Sequence, residues 1–153
     1  MVKEHKLFSD IKNGSFTSAV TTTYSFDFAH FDKFILHTLL DKGISSIHVL
    51  ADYGQLQESI RYTLGSESSA GIDYTIDGIK ANGIFHPKLT VLCGEDAIMV
   101  LLGSGNATKG GNGINHEAFA WIYADKKNKS QLPLALEAWN YIGKYTRQLS
   151  PFA

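Results

Sequence analysis

Several residue types are scarce in this sequence, and each shortage excludes a class of protein. Cys93 is the single cysteine among 153 residues, so no internal disulfide can form, which fits a reducing compartment. Proline occurs three times, and no proline-rich or low-complexity segment is present. No apolar run approaches the roughly 20 residues of a membrane-spanning helix, and the N-terminus MVKEHKLFSD lacks the apolar stretch of a secretory signal. We expect a soluble, cytoplasmic protein without a membrane partner.

An excess of charge of either sign is also missing. Lys and Arg total 14 and Asp and Glu total 15, which gives a net charge of −1 with neutral histidine. Bulk charge therefore does not point to a polyanionic partner. Hydrophobic residues make up 44% of the chain, and a chain of this length buries roughly 70% of the surface that its unfolded form exposes. We expect one domain over residues 1–153, whose end directly after a predicted helix suits excision from the N-terminal part of a longer protein.

The hydrophobic pattern predicts strands that alternate with helices, followed by consecutive strands and a last helix. β-Branched residues over 18–24 indicate the first strand. Apolar residues at helical spacing over 27–41, ended by Gly43, indicate the first helix. The other predicted strands span 44–50, 72–79, 85–93, 97–102 and 117–123, and the other helices span 55–64 and 132–149. This order predicts an α/β fold, a mixed β-sheet flanked by helices on both faces. The aromatic side chains expected in its core are Tyr24, Phe26, Phe28, Phe31, Trp121 and Trp139.

His86 and Lys88 form the first of three groups that carry chemistry. In a strand, residues two apart point to the same face, so we expect the imidazole and the ammonium to project together. This pair suits a phosphate, because a lysine neutralises the non-bridging oxygens and a neutral imidazole can attack phosphorus.

The second and third groups complete the set of roles. Gly103-Ser104-Gly105-Asn106 follows the buried apolar run 97–102, and small residues there allow close approach of the backbone to a ligand. Asn106 adds an uncharged side-chain donor. Glu117, at the head of the next predicted strand, supplies a carboxylate that can fix the tautomer of a histidine. Three adjacent strands would bring the groups together.

A metal site is not expected from these residues. His86, His116 and Glu117 fit no common zinc spacing, and a single cysteine is present. No cofactor is expected either.

The block from Phe85 to Glu117 resembles the phospholipase D superfamily, which carries the HKD signature. His86-Pro87-Lys88 is similar to the HxK core, and Gly103-Ser104-Gly105-Asn106 is similar to the GSxN element. Glu117 occupies the place of the downstream acid. The resemblance is greatest to the bacterial nuclease branch and extends less specifically from about Ser18 to Tyr123. It implies a phospholipase D-like α/β/α sandwich.

One position departs from the family pattern, and one element is present only once. Cys93 stands where the family has an aspartate five residues after the lysine, which weakens a lipid-hydrolase interpretation more than a nuclease interpretation. Active sites of the superfamily use two HKD elements, whereas this sequence has one. The resemblance therefore implies a homodimer with the active site at its interface.

The activity that the resemblance implies is metal-independent phosphodiester hydrolysis, most simply of DNA. His86 would form a covalent phosphohistidine, Lys88 and Asn106 would hold the phosphoryl oxygens, and Glu117 would orient His86. Ser104 would assist through its hydroxyl or amide. Thr108 and Lys109, on the following loop, are candidate contacts to the substrate backbone.

Two other interpretations stay open. One is a phospholipase D-like phosphoryl-transfer enzyme with a substrate other than nucleic acid, and the other is a catalytically silent domain that binds nucleic acid or dimerises. The charges over residues 80–117 balance, with three lysines against three acidic residues. A nuclease of this charge is expected to need a targeting domain or partner, because it presents no basic stripe to the phosphate backbone.

Overall fold

The computed structural model describes residues 8, 11–63, 67–111 and 117–146 of the chain. These residues form a six-stranded sheet with the spatial order β3-β2-β1-β4-β5-β6. The strands are β1 (Ser18–Thr23), β2 (Ser46–Asp52), β3 (Thr75–Ile79), β4 (Leu89–Cys93), β5 (Ala97–Gly103) and β6 (Phe119–Asp125).

The sheet consists of a parallel half and an antiparallel half. The parallel half contains β1, β2 and β3, in which β2 pairs in parallel with both neighbours, as strands joined by long crossover segments do. The antiparallel half contains β4, β5 and β6, which pair with one another in antiparallel fashion. The two halves join where β1 pairs antiparallel with β4, and there the Thr21 and Thr90 hydroxyls hydrogen-bond at 3.0 Å.

Three helices pack on this sheet. Helix α1 consists of three consecutive segments, Phe28–His30, Phe31–Leu36 and His37–Asp41, of which the middle one is π-helical. Its N-cap is Asp27, whose side chain accepts a hydrogen bond from the His30 amide at 2.9 Å. Helices α2 and α3 span Tyr53–Thr63 and Leu132–Thr146.

The helices cover opposite faces of the sheet. Residues of α1 and α2, such as Phe31 and Leu56, share a buried cluster with Val49 and Leu101 of the strands. Ala135 and Ile142 of α3 join a second cluster, whose other members are Leu50, Ile79, Phe85, Leu89, Val91, Val100 and Ile122. Neighbouring strand residues enter different clusters because strand side chains alternate between faces. The expected mixed sheet with helices on both faces is confirmed.

The bounds of several elements differ from the prediction. Strand β4 begins at Leu89 rather than at residue 85, because Pro87 cannot donate to a strand ladder. Strand β3 begins at Thr75 rather than at 72, and α2 begins at Tyr53, two residues before the predicted start. Residue 64 and residues 147–149 of the predicted helices lie outside the described residues.

The two tryptophans are not in the core, contrary to the prediction. Trp121 is 52% exposed and Trp139 is 43% exposed. Trp121 lies on the edge strand β6, and its neighbour Ile122 points to the opposite face, where it packs with residues of α3. Trp139 lies on the outer side of α3. Phe26, Phe28 and Phe31 are buried as expected.

No helix of the described part of the chain is long and apolar enough to cross a membrane.

Candidate active site

The predicted site residues that the structure describes gather at one end of the sheet. Because the sheet is mixed, the carboxyl ends of β1, β2 and β5 meet the amino ends of β4 and β6 there. His86 and Lys88 directly precede β4, and Ser104 and Asn106 follow β5. Glu117 lies two residues before β6. His116 lies outside the described residues.

His86 and Lys88 are in direct contact. The Nζ atom of Lys88 lies 2.8 Å from Nδ1 and 3.3 Å from Nε2 of His86. It also donates to the His86 carbonyl oxygen at 3.1 Å. The two side chains point to one side as predicted, although the segment is irregular rather than a strand. A ring nitrogen that accepts from this ammonium needs a free lone pair, which a neutral imidazole provides.

The Lys88 ammonium is partly withdrawn from water. Burial lowers the pKa of Lys88, and the negative charge of Glu117 acts in the opposite direction. His86, by contrast, is exposed. The site therefore combines an accessible imidazole with a recessed cation.

Tyr24 forms a wall of the site that the sequence did not predict. Its ring lies against the His86 ring, with centroids 4.7 Å apart and planes at 42°. The prediction placed Tyr24 in the aromatic core, whereas it is half-buried at the carboxyl end of β1. Its position directly after a buried strand was the available signal, because carboxyl ends of strands in α/β sheets form binding crevices.

Asn106 is oriented by backbone and side-chain groups of the β1 end. Its Oδ1 accepts a hydrogen bond from the Tyr24 amide at 3.2 Å. The buried hydroxyl of Thr23 accepts from the Ala107 amide at 3.0 Å and donates to the Ser25 carbonyl at 2.7 Å. Since Oδ1 is engaged with the backbone, the Asn106 side chain is left with its NH₂ group as a donor for a ligand.

The glycines of the GSGN loop are required by close packing. A Cβ atom on Gly105 would lie 2.2 Å from the Gly111 carbonyl oxygen. A Cβ atom on Gly103 would lie 2.3 Å from the Phe119 ring. The loop therefore folds back on itself next to β6, with no room for side chains at these two positions.

Glu117 forms a hydrogen bond with Ser104 beside the start of β6. The Ser104 hydroxyl donates to Glu117 Oε2 and accepts from the Ala118 amide at 3.1 Å. The physical reason is register: Gly103 pairs with Phe119, so the residues just beyond this pair face each other. The resemblance implies that Glu117 orients His86, and this role stays a prediction.

The two predicted substrate contacts occupy the loop after Asn106. The Thr108 hydroxyl accepts from the Gly111 amide at 3.1 Å and thus stabilises the loop itself. Lys109 is exposed. Lys109 lies near His30, at the start of α1. Burial lowers the pKa of His30, Asp27 raises it, and the positive charge of Lys109 lowers it.

Asp52 is a further residue that the sequence did not predict. It ends β2, and its Oδ2 accepts from the Phe85 amide at 3.0 Å, one residue before His86.

Within residues 8, 11–63, 67–111 and 117–146, no three His, Cys, Asp or Glu side chains form a group that could hold a metal ion.

Three solved structures, one of which is described as a phospholipase D family member, are similar to this fold. NucT from Helicobacter pylori has a TM-score of 0.57 at 21% identity, over 92% of this chain and 84% of that chain. Nuc from Salmonella typhimurium, a phospholipase D family member, has a TM-score of 0.56 at 22% identity, over 87% and 84%. A mutant of yeast tyrosyl-DNA phosphodiesterase has a TM-score of 0.52 at 11% identity, over 74% of this chain and 26% of that chain. This chain thus spans about a quarter of the yeast protein.

No family model and no curated protein matches the sequence. The structural similarity confirms the fold that the resemblance implies. The fold of this chain is the phospholipase D-like α/β fold.

Proposed function

We propose that this protein is a metal-independent phosphodiesterase that cleaves DNA through a covalent phosphohistidine intermediate. The observation that supports this most directly is the contact between His86 and Lys88 Nζ at 2.8 Å, at the same end of the sheet as the Asn106 side-chain amide. A neutral imidazole, a cation and an uncharged donor at one sheet end suit a phosphoryl group. The name of the yeast neighbour, a tyrosyl-DNA phosphodiesterase, supports DNA as the substrate.

Substrate binding exchanges one partner of Lys88 for another. A phosphoryl oxygen takes the place of the His86 ring nitrogen at the ammonium, and this frees the lone pair of the imidazole. The Asn106 NH₂ group donates to a second oxygen. Both contacts strengthen as negative charge builds on the phosphoryl oxygens, which is the requirement for stabilising the transition state.

The reaction consists of two displacements. In the first, a neutral ring nitrogen of His86 forms a bond to phosphorus while the P–O bond to the leaving group breaks. The leaving oxygen takes a proton from His86 of a second copy, which enters the reaction as the imidazolium ion and is neutral after this step. In the second, water attacks phosphorus and gives its proton to that second imidazole, and the N–P bond breaks. The two displacements require no redox partner and no metal ion.

The second imidazole comes from a homodimer, since the sequence holds one HxK element. Strand β6 offers a surface for it, the β6 aromatic surface: Phe119, Trp121 and Tyr123, which are 38%, 52% and 37% exposed. Phe119 lies in one cleft with Lys88 and Gly103, so this surface is continuous with the site. It presents uncharged side chains, which suit a second copy better than a polyanion.

The proposed function also requires that the domain be brought to DNA. With a net charge of −1 the domain has little non-specific affinity for DNA. We propose that residues 1–153 act as one cytoplasmic catalytic domain, which a further domain or a partner protein brings to its substrate. Thr108 and Lys109 contact the substrate backbone beside the site.

The test is cleavage of plasmid and oligonucleotide DNA in excess EDTA. We expect cleavage by the wild-type protein and by His37→Ala, a control at an exposed histidine of α1, and none by His86→Ala. Cleavage that requires a divalent metal would contradict the mechanism. DNA binding without cleavage would indicate a silent domain. Cleavage of a simple phosphodiester such as bis(p-nitrophenyl) phosphate without cleavage of DNA would indicate another substrate class.

A further inference from the structure

The Asp52 carboxylate joins three parts of the molecule at the end of the sheet. One oxygen, Oδ1, accepts from the Gln55 amide at 3.1 Å and so caps the N-terminus of α2. The other oxygen, Oδ2, accepts from the Phe85 amide at 3.0 Å. Asp52 itself ends β2 and is half-buried. One side chain therefore ties the segment that carries His86 to a strand and a helix of the parallel half.

Phe85 makes this connection rigid. Its side chain is 1% exposed, and its ring packs edge-on against Tyr145 of α3 with centroids 4.9 Å apart. The side chain of Phe85 is thus fixed in the core and its amide is fixed by Asp52. The next residue, His86, begins from a backbone position that leaves little freedom.

Helix α2 also holds the other side of the site. The Ser59 hydroxyl donates to the Phe26 carbonyl at 2.6 Å. Phe26 in turn pairs with Ala107, the residue after Asn106. The helix that Asp52 caps is therefore connected both to the His86 segment and to the Asn106 loop.

We propose that Asp52 is a positioning residue that sets the location of His86 relative to Asn106, a role that rests on the proposed function of these two residues. It touches no reacting atom. It acts by holding the Phe85 amide, and a displacement of the nucleophile by even 1 Å is costly in rate.

Two reciprocal variants separate this role from the helix cap. Asp52→Ser keeps a good N-cap, but its single, shorter hydroxyl cannot also reach the Phe85 amide. Gln55→Pro removes the capped amide and keeps the Asp52–Phe85 hydrogen bond, at a position in the first helical turn where proline is tolerated. We expect Asp52→Ser to lower kcat about tenfold with KM within about twofold, and Gln55→Pro to leave kcat within about twofold despite a lower Tm.

A second readout does not depend on catalysis. In Asp52→Ser the Phe85 amide should exchange faster with deuterium and the NMR signals of the His86 ring should shift, while the ring signals of His37 stay unchanged. Unchanged exchange at Phe85, or equal losses of kcat in both variants, would overturn the proposal. If wild-type protein cleaves nothing, the proposed function fails, and the NMR comparison still decides whether Asp52 positions His86. If Asp52→Ser does not fold, Asp52→Asn replaces it in both measurements, because asparagine retains one acceptor oxygen.

Discussion

The parallel and antiparallel halves of the sheet contribute different things to the candidate site. The antiparallel half and its loops carry the groups with chemistry: His86, Lys88, Ser104, Asn106 and Glu117. The parallel half supplies groups that orient them, namely the Thr23 hydroxyl, the Tyr24 ring and amide, and the Asp52 carboxylate. This difference indicates that the position of the reactive groups depends on hydrogen bonds and packing from the parallel half.

The first prediction concerns the reactive half and has the largest expected effect. Asn106→Asp retains an oxygen that accepts from the Tyr24 amide, and it replaces the NH₂ donor with a negative charge beside the phosphoryl group. We expect kcat/KM to fall by about 10²–10³ with little change in Tm. Steady-state kinetics on a labelled oligonucleotide measure this. An unchanged rate would remove Asn106 from the site.

The second prediction concerns the outer edge of the same half. Trp121→Lys places a charge in the β6 aromatic surface, and a two-fold interface would contain it twice. Loss of such an aromatic contact costs about 1 kcal/mol in each copy. The dimer therefore loses about 2 kcal/mol, which raises its dissociation constant about 30-fold. Sedimentation velocity measures the shift. Trp139→Lys, on the opposite face of the sheet, is the matched control, and equal dissociation in both variants would contradict the assignment of this surface.

The third prediction tests the supporting half. Thr23→Val leaves the Ala107 amide without its acceptor, which costs about 1–3 kcal/mol of the free energy of unfolding. Because the Asn106 loop then loses its anchor, we expect kcat to fall about tenfold as well. Thr21→Val also removes a buried hydroxyl hydrogen bond from β1, and it should destabilise the protein without this loss of rate. If the two variants have the same kcat, the parallel half does not orient the site.

The fourth and smallest effect is on pH dependence. Lys88 must be protonated to hold the phosphoryl group, so activity is lost as the pH rises through the Lys88 pKa, which burial lowers. Glu117 opposes that lowering, so Glu117→Gln should move the alkaline limb of the kcat/KM profile to lower pH. A limb that stays in place or moves to higher pH would show that Glu117 does not act on Lys88.

The reactive half could be predicted from the sequence because its residues form short local patterns. His86 and Lys88 are two residues apart, and the GSGN turn follows a recognisable apolar strand. Even the sheet end where they meet follows from strand order. The hydrogen bond between Ser104 and Glu117 was not predicted, because it depends on the register of β5 and β6.

The supporting half could not be predicted in the same way. The hydrogen bond from the Phe85 amide to Asp52 spans 33 residues, and the one from the Ala107 amide to Thr23 spans 84. Nothing local in the sequence marks a threonine or an aspartate as the partner of such a distant amide. Exposure of Trp121 was missed for a related reason, because a strand pattern does not show whether the strand lies at the edge of a sheet.

Covalent modification of His86 is the central claim, and rapid acid-free quenching followed by mass spectrometry tests it most directly. Wild-type protein is mixed with a 5′- or 3′-labelled oligonucleotide in EDTA, denatured at alkaline pH and digested. The mechanism predicts a transient phosphohistidine on the peptide that contains His86, with a nucleotide attached, and its absence in His86→Ala. Efficient cleavage in EDTA without any such adduct during the first turnover would contradict it.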